Sequence, residues 1–107
     1  MHMGDFDPLH TIENRCVIDL VQASLGLVST NIYGIWFVVI GREMKITFVI
    51  REQIETQIED IEDIVFELEA LQAGTIDVIT TYNIDLYQEG MVPPKECRIF
   101  YISKAFV

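Results

Sequence analysis

Residues Gln53 to Gln72 read QIETQIEDIEDIVFELEALQ, and the spacing of their branched side chains decides the fold class. Ile54, Ile58, Ile61, Ile64, Val65, Leu68 and Leu71 follow one another at intervals of 4, 3, 3, 1, 3 and 3. At 100° per residue these positions gather on one face of a helix. The opposite face carries Glu55, Glu59, Glu62, Asp63, Glu67 and Glu69. Ala73-Gly74 supplies the stop. One face of this helix must be buried, so the chain needs another layer to bury it.

Upstream lies that layer. Asn31 to Ile40 is rich in β-branched and aromatic residues, Gly41-Arg42-Glu43 offers a turn, and Met44 to Arg51 alternates. The pattern predicts a β-hairpin. In its second strand Met44, Ile46, Phe48 and Ile50 should point inward and Lys45, Thr47, Val49 and Arg51 outward. The first strand is apolar on both faces: Ile35, Phe37 and Val39 on one, Ile32, Trp36, Val38 and Ile40 on the other. A central strand covered by loops on its second face explains this, and so does an apolar patch that meets a partner.

Before the hairpin, Asp7-Pro8 presents an N-cap residue followed by proline at the first helical position. Leu9, Ile12, Cys16, Leu20 and Ala23 recur at helical spacing, with Val17, Val21 and Leu27 widening the stripe and Gly26 placed to end it. A helix over about residues 8–25 follows. Downstream, a third strand is predicted from about Thr75 to Tyr87, with Tyr82, Ile84 and Leu86 alternating against Asn83 and Asp85. After Pro93-Pro94, Cys97 to Lys104 makes a fourth, with Ile99 and Tyr101 on one side and Arg98, Phe100 and Ile102 on the other. The order α-β-β-α-β-β, read as hairpin pairs, predicts an α+β domain: two helices packed on one face of a four-stranded, mainly antiparallel sheet.

The chain has 107 residues, half of them hydrophobic, with 17 acidic and 7 basic residues and a formal charge of −10. That length holds one domain over 1–107, with residues 1–6 read as a disordered or added tail. The apolar content is too high for disorder. The longest apolar run, Ile35 to Gly41, is far short of the roughly 18 residues a membrane span requires. Met1-His2-Met3-Gly4 does not resemble a secretory leader, so a cytoplasmic location is the expectation. A net negative surface repels nucleic acid and anionic lipid, so neither is an expected partner.

Catalytic equipment is not visible, and the chain is not expected to be an enzyme. Cys16 and Cys97 have no metal-ligand or redox spacing and read as reduced packing residues. His occurs only at positions 2 and 10. No segment has EF-hand spacing, and acids spaced along a continuous helix do not wrap an ion, so no metal is expected. There is no G-x-S-x-G, and Gly34 and Gly41 flank a strand and do not precede a helix, so no phosphate loop and no cofactor is expected.

What remains is the acidic helix. Between Glu52 and Glu69 there are eight acids and no base, whereas a solvated helix face ordinarily mixes Lys with Glu. Like charges at i,i+4, such as Glu55 with Glu59 and Glu59 with Asp63, each cost about 0.2 to 0.5 kcal/mol. Phe66 falls roughly 150° from the middle of the apolar stripe on a helical wheel, with Glu62, Asp63 and Glu69 as its neighbours. An aromatic ring in an acidic field has the composition of an interface anchor with charged surroundings. Its competitor is a ring tucked under the 88–96 loop or a terminus. Glu55, Glu59, Glu62, Asp63, Phe66 and Glu69 are therefore the first partner-binding candidates, and Asp85, Tyr87 and Glu89 the second.

Several short stretches carry a resemblance: Leu25-Gly26-Leu27-Val28-Ser29-Thr30-Asn31-Ile32 before the hairpin, Ile58-Glu59-Asp60-Ile61-Glu62-Asp63 in the helix, Ile84-Asp85-Leu86-Tyr87, and Val92-Pro93-Pro94 before the last strand. Over residues 9–104 the chain resembles small acidic bacterial immunity proteins encoded beside toxins of contact-dependent growth inhibition and other polymorphic toxin systems. The resemblance implies a cytoplasmic protein, monomeric or homodimeric, that binds one cognate toxin domain, often a basic nuclease, and blocks its active site or substrate groove. The chain departs from that group in its apolar first strand and in Phe66. Two other readings compete: a homodimeric adaptor or structural module using Trp36, Val38 and Ile40, and a carboxylate-dependent hydrolase, which would need a buried Glu in a real pocket.

Overall fold

The structure, a computed structural model, describes residues 8–73 and 78–102, with side chains from residue 12 onward. Its elements are α1 (Pro8–Ser24), β1 (Ile32–Ile40), β2 (Glu43–Ile50), α2 (Glu55–Gln72), β3 (Ile79–Leu86) and β4 (Arg98–Ile102). The chain is α+β, with two helices and one four-stranded sheet in the order β3-β2-β1-β4. The expected cap at Asp7, the Leu9 contact, the stop at Gly74, the start of the third strand at Thr75, the end of the fourth at Lys104 and the tail over 1–6 lie outside the described residues.

The sheet is mixed, not mainly antiparallel. β1 pairs antiparallel with both β2 and β4, but β2 and β3 run parallel in unbroken register from Glu43↔Ile79 to Ile50↔Leu86. The β3–β4 hairpin anticipated from the sequence does not form. The physical reason is the connection: an 18-residue helix carries the chain back to the starting end of β2, and a strand entered there runs parallel. The β1–β2 connection is short and gives the opposite outcome. Ile40 pairs with Glu43 across Gly41 and Arg42. Gly41 has φ +61° while Arg42 is not in the positive-φ region, the pattern of a type II′ turn, which matches the twist of a hairpin.

Two bulges redistribute the side chains. Ile32 pairs with Ile50 and Gly34 with Val49, so Tyr33 is the extra residue of β1. A one-residue insertion shifts the alternation. Ile32 therefore joins Ile35 and Phe37 on the core face and does not share the Trp36 face, where simple alternation had placed it. In β4, Ile35↔Tyr101 is followed by Trp36↔Ile99. Phe100 is the insertion there, and Ile99 and Ile102 share the face that carries Trp36.

The core lies on one side of the sheet. Ile35, Phe37, Met44, Ile46, Phe48 and Ile50 meet Cys16, Leu20 and Ala23 of α1 and Ile61, Ile64, Val65 and Leu68 of α2. The far side of the sheet is also partly closed. Val49, expected outward, is fully buried, and Trp36 is only 4% exposed. A Cβ on Gly34 would come within 2.8 Å of the Trp36 ring and 3.4 Å of the Tyr101 carbonyl oxygen, so the indole lies across the glycine. At the end of the same side, Tyr87 packs on Tyr33 with ring centroids 4.3 Å apart. The Arg51 guanidinium stands 5.6 Å over the Tyr33 ring, and the Tyr33 hydroxyl donates to the Met91 carbonyl.

α1 departs from its expected stripe. Val21 is exposed, and so are Ile18 and Leu25, while Asp19 is buried with its carboxylate 3.2 Å from Arg15 Nε. The α1–β1 connection is fastened by polar groups. The Asn31 side chain donates to the Glu52 carbonyl and accepts from the Glu52 N–H, both at 3.0 Å. The Ser29 hydroxyl donates to Gln57 Oε1 while accepting the Asn31 N–H. These bonds join the start of β1 to the turn that launches α2.

Candidate functional site

α2 begins at Glu55 after Ile54, whose side chain cannot cap. Glu55 in the first turn suits the positive end of the helix dipole, but no base follows in the last turn. The buried side of α2 is formed by Gln57, Ile61, Ile64, Val65, Leu68 and Gln72. Gln72 reaches between layers: its Nε2 lies 3.5 Å from Met44 Sδ, and its Oε1 accepts from the Thr80 hydroxyl at 2.7 Å. The helix is thus anchored through one face, and the other is free to meet solvent.

That free face carries Glu55, Glu59, Glu62, Asp63, Phe66 and Glu69, all exposed. Phe66 is 72% exposed, so the 88–96 loop does not cover it. From Glu55 to Glu69 the face runs roughly 21 Å at 1.5 Å per residue, with Phe66 toward its C-terminal end. The ion pairs Arg15–Asp19, Lys45–Glu43 and Arg98–Glu13 all lie off α2. Among the described residues no base pairs with an α2 carboxylate. The carboxylates of that face are open to water, and a row of this kind can bind a cationic surface.

The second set of candidates is placed elsewhere. Asp85 pairs with Val49 in the β2–β3 register and so sits on the sheet face away from the helices. Glu89 is exposed in the turn after β3. Tyr87 is half-buried; its ring lies on Tyr33 and its N–H donates to the Ile50 carbonyl at 2.8 Å, which makes it part of the sheet's closure. The α2 face and the Asp85–Glu89 segment therefore occupy opposite layers. Between them, at the N-terminal end of α2, lies an open groove of about 150 Å³ lined by Ile50, Gln53, Ile58, Ile84 and Leu86. A partner touching both sets would have to wrap over that groove.

Of the apolar first-strand candidates, Trp36 is buried, Val38 is half-buried and Ile40 is exposed. Exposed apolar surface also appears on and just after α1, at Ile18, Val21 and Leu25, and on β3, at Ile79, Tyr82 and Leu86. Ile18, Val21 and Leu25 stand at i, i+3 and i+7, a spacing legible in the sequence, where only Val21 falls in the expected buried stripe. Burial pushes the Cys16 thiol up to about 11, with Asp19 and then Glu13 adding to the rise. Cys97 is raised by burial and by Glu96. Both cysteines are free, and neither thiol is activated. Among the described residues no group of three or more His, Cys, Asp and Glu could hold a metal ion, and no helix is long and apolar enough to cross a membrane.

A scan against protein-family models and a search of the curated proteins return no match for this chain.

Proposed function

We propose that this protein is a cytoplasmic immunity protein that binds a cognate toxin domain, a basic nuclease in particular, and neutralises it without catalysis. The observation that carries the reading is the free face of α2, a row of carboxylates with no base paired to them among the described residues and a 72%-exposed phenylalanine among them. A nuclease grips phosphates with Lys and Arg. A helix that presents carboxylates competes for the same groups and gains long-range steering, with association up to about 10⁸ to 10⁹ M⁻¹s⁻¹ at low salt. Phe66 supplies what charge does not: an apolar anchor that holds the complex once formed. The repulsion along α2 is then offset in the complex, where cations of the partner stand between the carboxylates.

Co-expression with the product of the gene immediately upstream tests this reading. A basic partner whose nuclease activity is lost at one-to-one stoichiometry, and returns when Phe66 is changed to Ala, supports it. A neutral or acidic partner, or inhibition indifferent to the α2 face, removes it.

A further inference from the structure

The two edges of the sheet are built differently. β4 spans five described residues and carries a bulge at Phe100, a feature that keeps a sheet edge from pairing. β3 has eight residues in unbroken register with β2, no lysine, no proline and Asp85 as its only charge. Six of its residues, Ile79, Thr81, Tyr82, Asn83, Asp85 and Leu86, are exposed. Such an edge is a template for another strand.

Its hydrogen-bonding parity can be read from the bonds at its two ends. Ile79 N–H donates to the Arg42 carbonyl and Tyr87 N–H to the Ile50 carbonyl. Odd-numbered residues therefore turn their N–H and C=O toward β2. Thr80, Tyr82, Ile84 and Leu86 turn theirs to the open edge.

We infer that β3 pairs antiparallel with β3 of a second copy, about a two-fold axis at Asn83, to make one continuous eight-stranded sheet. Antiparallel pairing joins hydrogen-bonded residues in opposed couples that exchange both bonds. With the axis at Asn83, Tyr82 opposes Ile84 of the second copy and Thr80 opposes Leu86, so every outward N–H and C=O of the strand finds a partner. Side chains in this register also complement one another. Tyr82 meets Ile84 and Leu86 meets Thr80 on the helix side, while Ile79 meets Tyr87 on the other. Asp85 falls opposite Thr81 and not opposite its own copy, which favours a second copy despite the net charge of −10 on each chain. α2 is not part of the pairing edge, so this assembly and a complex on the α2 face use different elements, whereas Asp85 and Tyr87 belong to the pairing strand and its end.

The two assemblies respond to salt in opposite directions. Dimerisation brings like-charged chains together and tightens as salt rises, whereas binding to a basic partner weakens. Sedimentation of the full chain at about 0.5 mM, in roughly 50 and 500 mM salt, should give twice the 12.3 kDa chain mass, with the larger dimer fraction at high salt. Amide exchange on the wild type should protect Thr80, Tyr82, Ile84 and Leu86 as well as their odd-numbered neighbours. Tyr82→Lys places a charge on the edge and should weaken dimerisation at least about 100-fold while the odd-numbered amides stay protected. A monomer at high salt overturns the proposal. So does a dimer whose even-numbered β3 amides exchange freely, or a monomer that gains their protection only when the upstream gene product is added. The exchange pattern needs no variant to fold.

Discussion

Phe66 concentrates the functional claim in one side chain. Its ring is exposed and contributes little to the fold, so Phe66→Ala should change unfolding free energy by no more than about 0.5 kcal/mol. The same change should weaken toxin binding by at least tenfold, the ordinary loss at an aromatic anchor. Urea denaturation and calorimetric titration separate the two effects. Gly34 predicts the reverse profile. A methyl group there meets the Trp36 ring at 2.8 Å, and the ring, 4% exposed, has little room to move. Gly34→Ala should cost about 1 to 3 kcal/mol, read as a lower urea midpoint, with binding by the folded protein unaltered. Cys16 gives a pH dependence whose sign is fixed. Its thiol is raised from 9.0 to about 11 in the folded chain, so the folded state holds the proton more tightly than the unfolded one. The thiol's contribution is intact below about pH 9 and is lost as pH climbs toward 11, by about 2 kcal/mol. The fall in stability between pH 8 and 10.5 should be shallower by that amount in Cys16→Ala.

At the scale of elements, α2 opposes its own stability with the surface it offers. Glu59 repels both Glu55 and Asp63 one turn away, and Glu59→Lys turns two repulsions into two attractions. The helix should gain about 1 kcal/mol at low salt while affinity for a basic partner falls. A variant that gained stability and kept its affinity would make the acidic face mere solvated surface. α2 was legible because its signal is local: seven branched residues on one face and a stop at Ala73. The β1–β2 hairpin was legible for the same reason, since Gly41 and the flanking alternation lie within one short stretch. The partner of β3 was not. Whether a strand pairs with its predecessor or its successor depends on where the intervening helix returns the chain, and the alternation of Tyr82, Ile84 and Leu86 is the same in either case. The bulges at Tyr33 and Phe100 were equally hidden. Each shifts an apolar run by one residue, and in strands apolar on both faces such as β1 no break in pattern marks the shift. Of the candidate site, the exposure of Phe66 followed from its wheel position. The separation of Asp85 and Glu89 from α2 did not, because it depends on which sheet face each strand end presents.

The molecule as a whole carries its charge unevenly. Glu13, Asp19 and Glu43 are matched by Arg98, Arg15 and Lys45, and the excess that makes the net charge −10 is concentrated on α2. α2 turns these excess carboxylates away from its buried side, and β3, whose only charge is Asp85, is nearly neutral. The proposed toxin surface and the proposed pairing edge therefore differ in charge, and salt separates them. The decisive quantity is the dissociation constant of the proposed complex with the upstream gene product, taken across a salt series for the wild type and for Glu62→Gln/Asp63→Asn. If the α2 face is the interface, log Kd rises with log salt in the wild type, and the slope flattens in the variant as its affinity drops. Equal slopes and equal affinities for the two proteins would contradict the account.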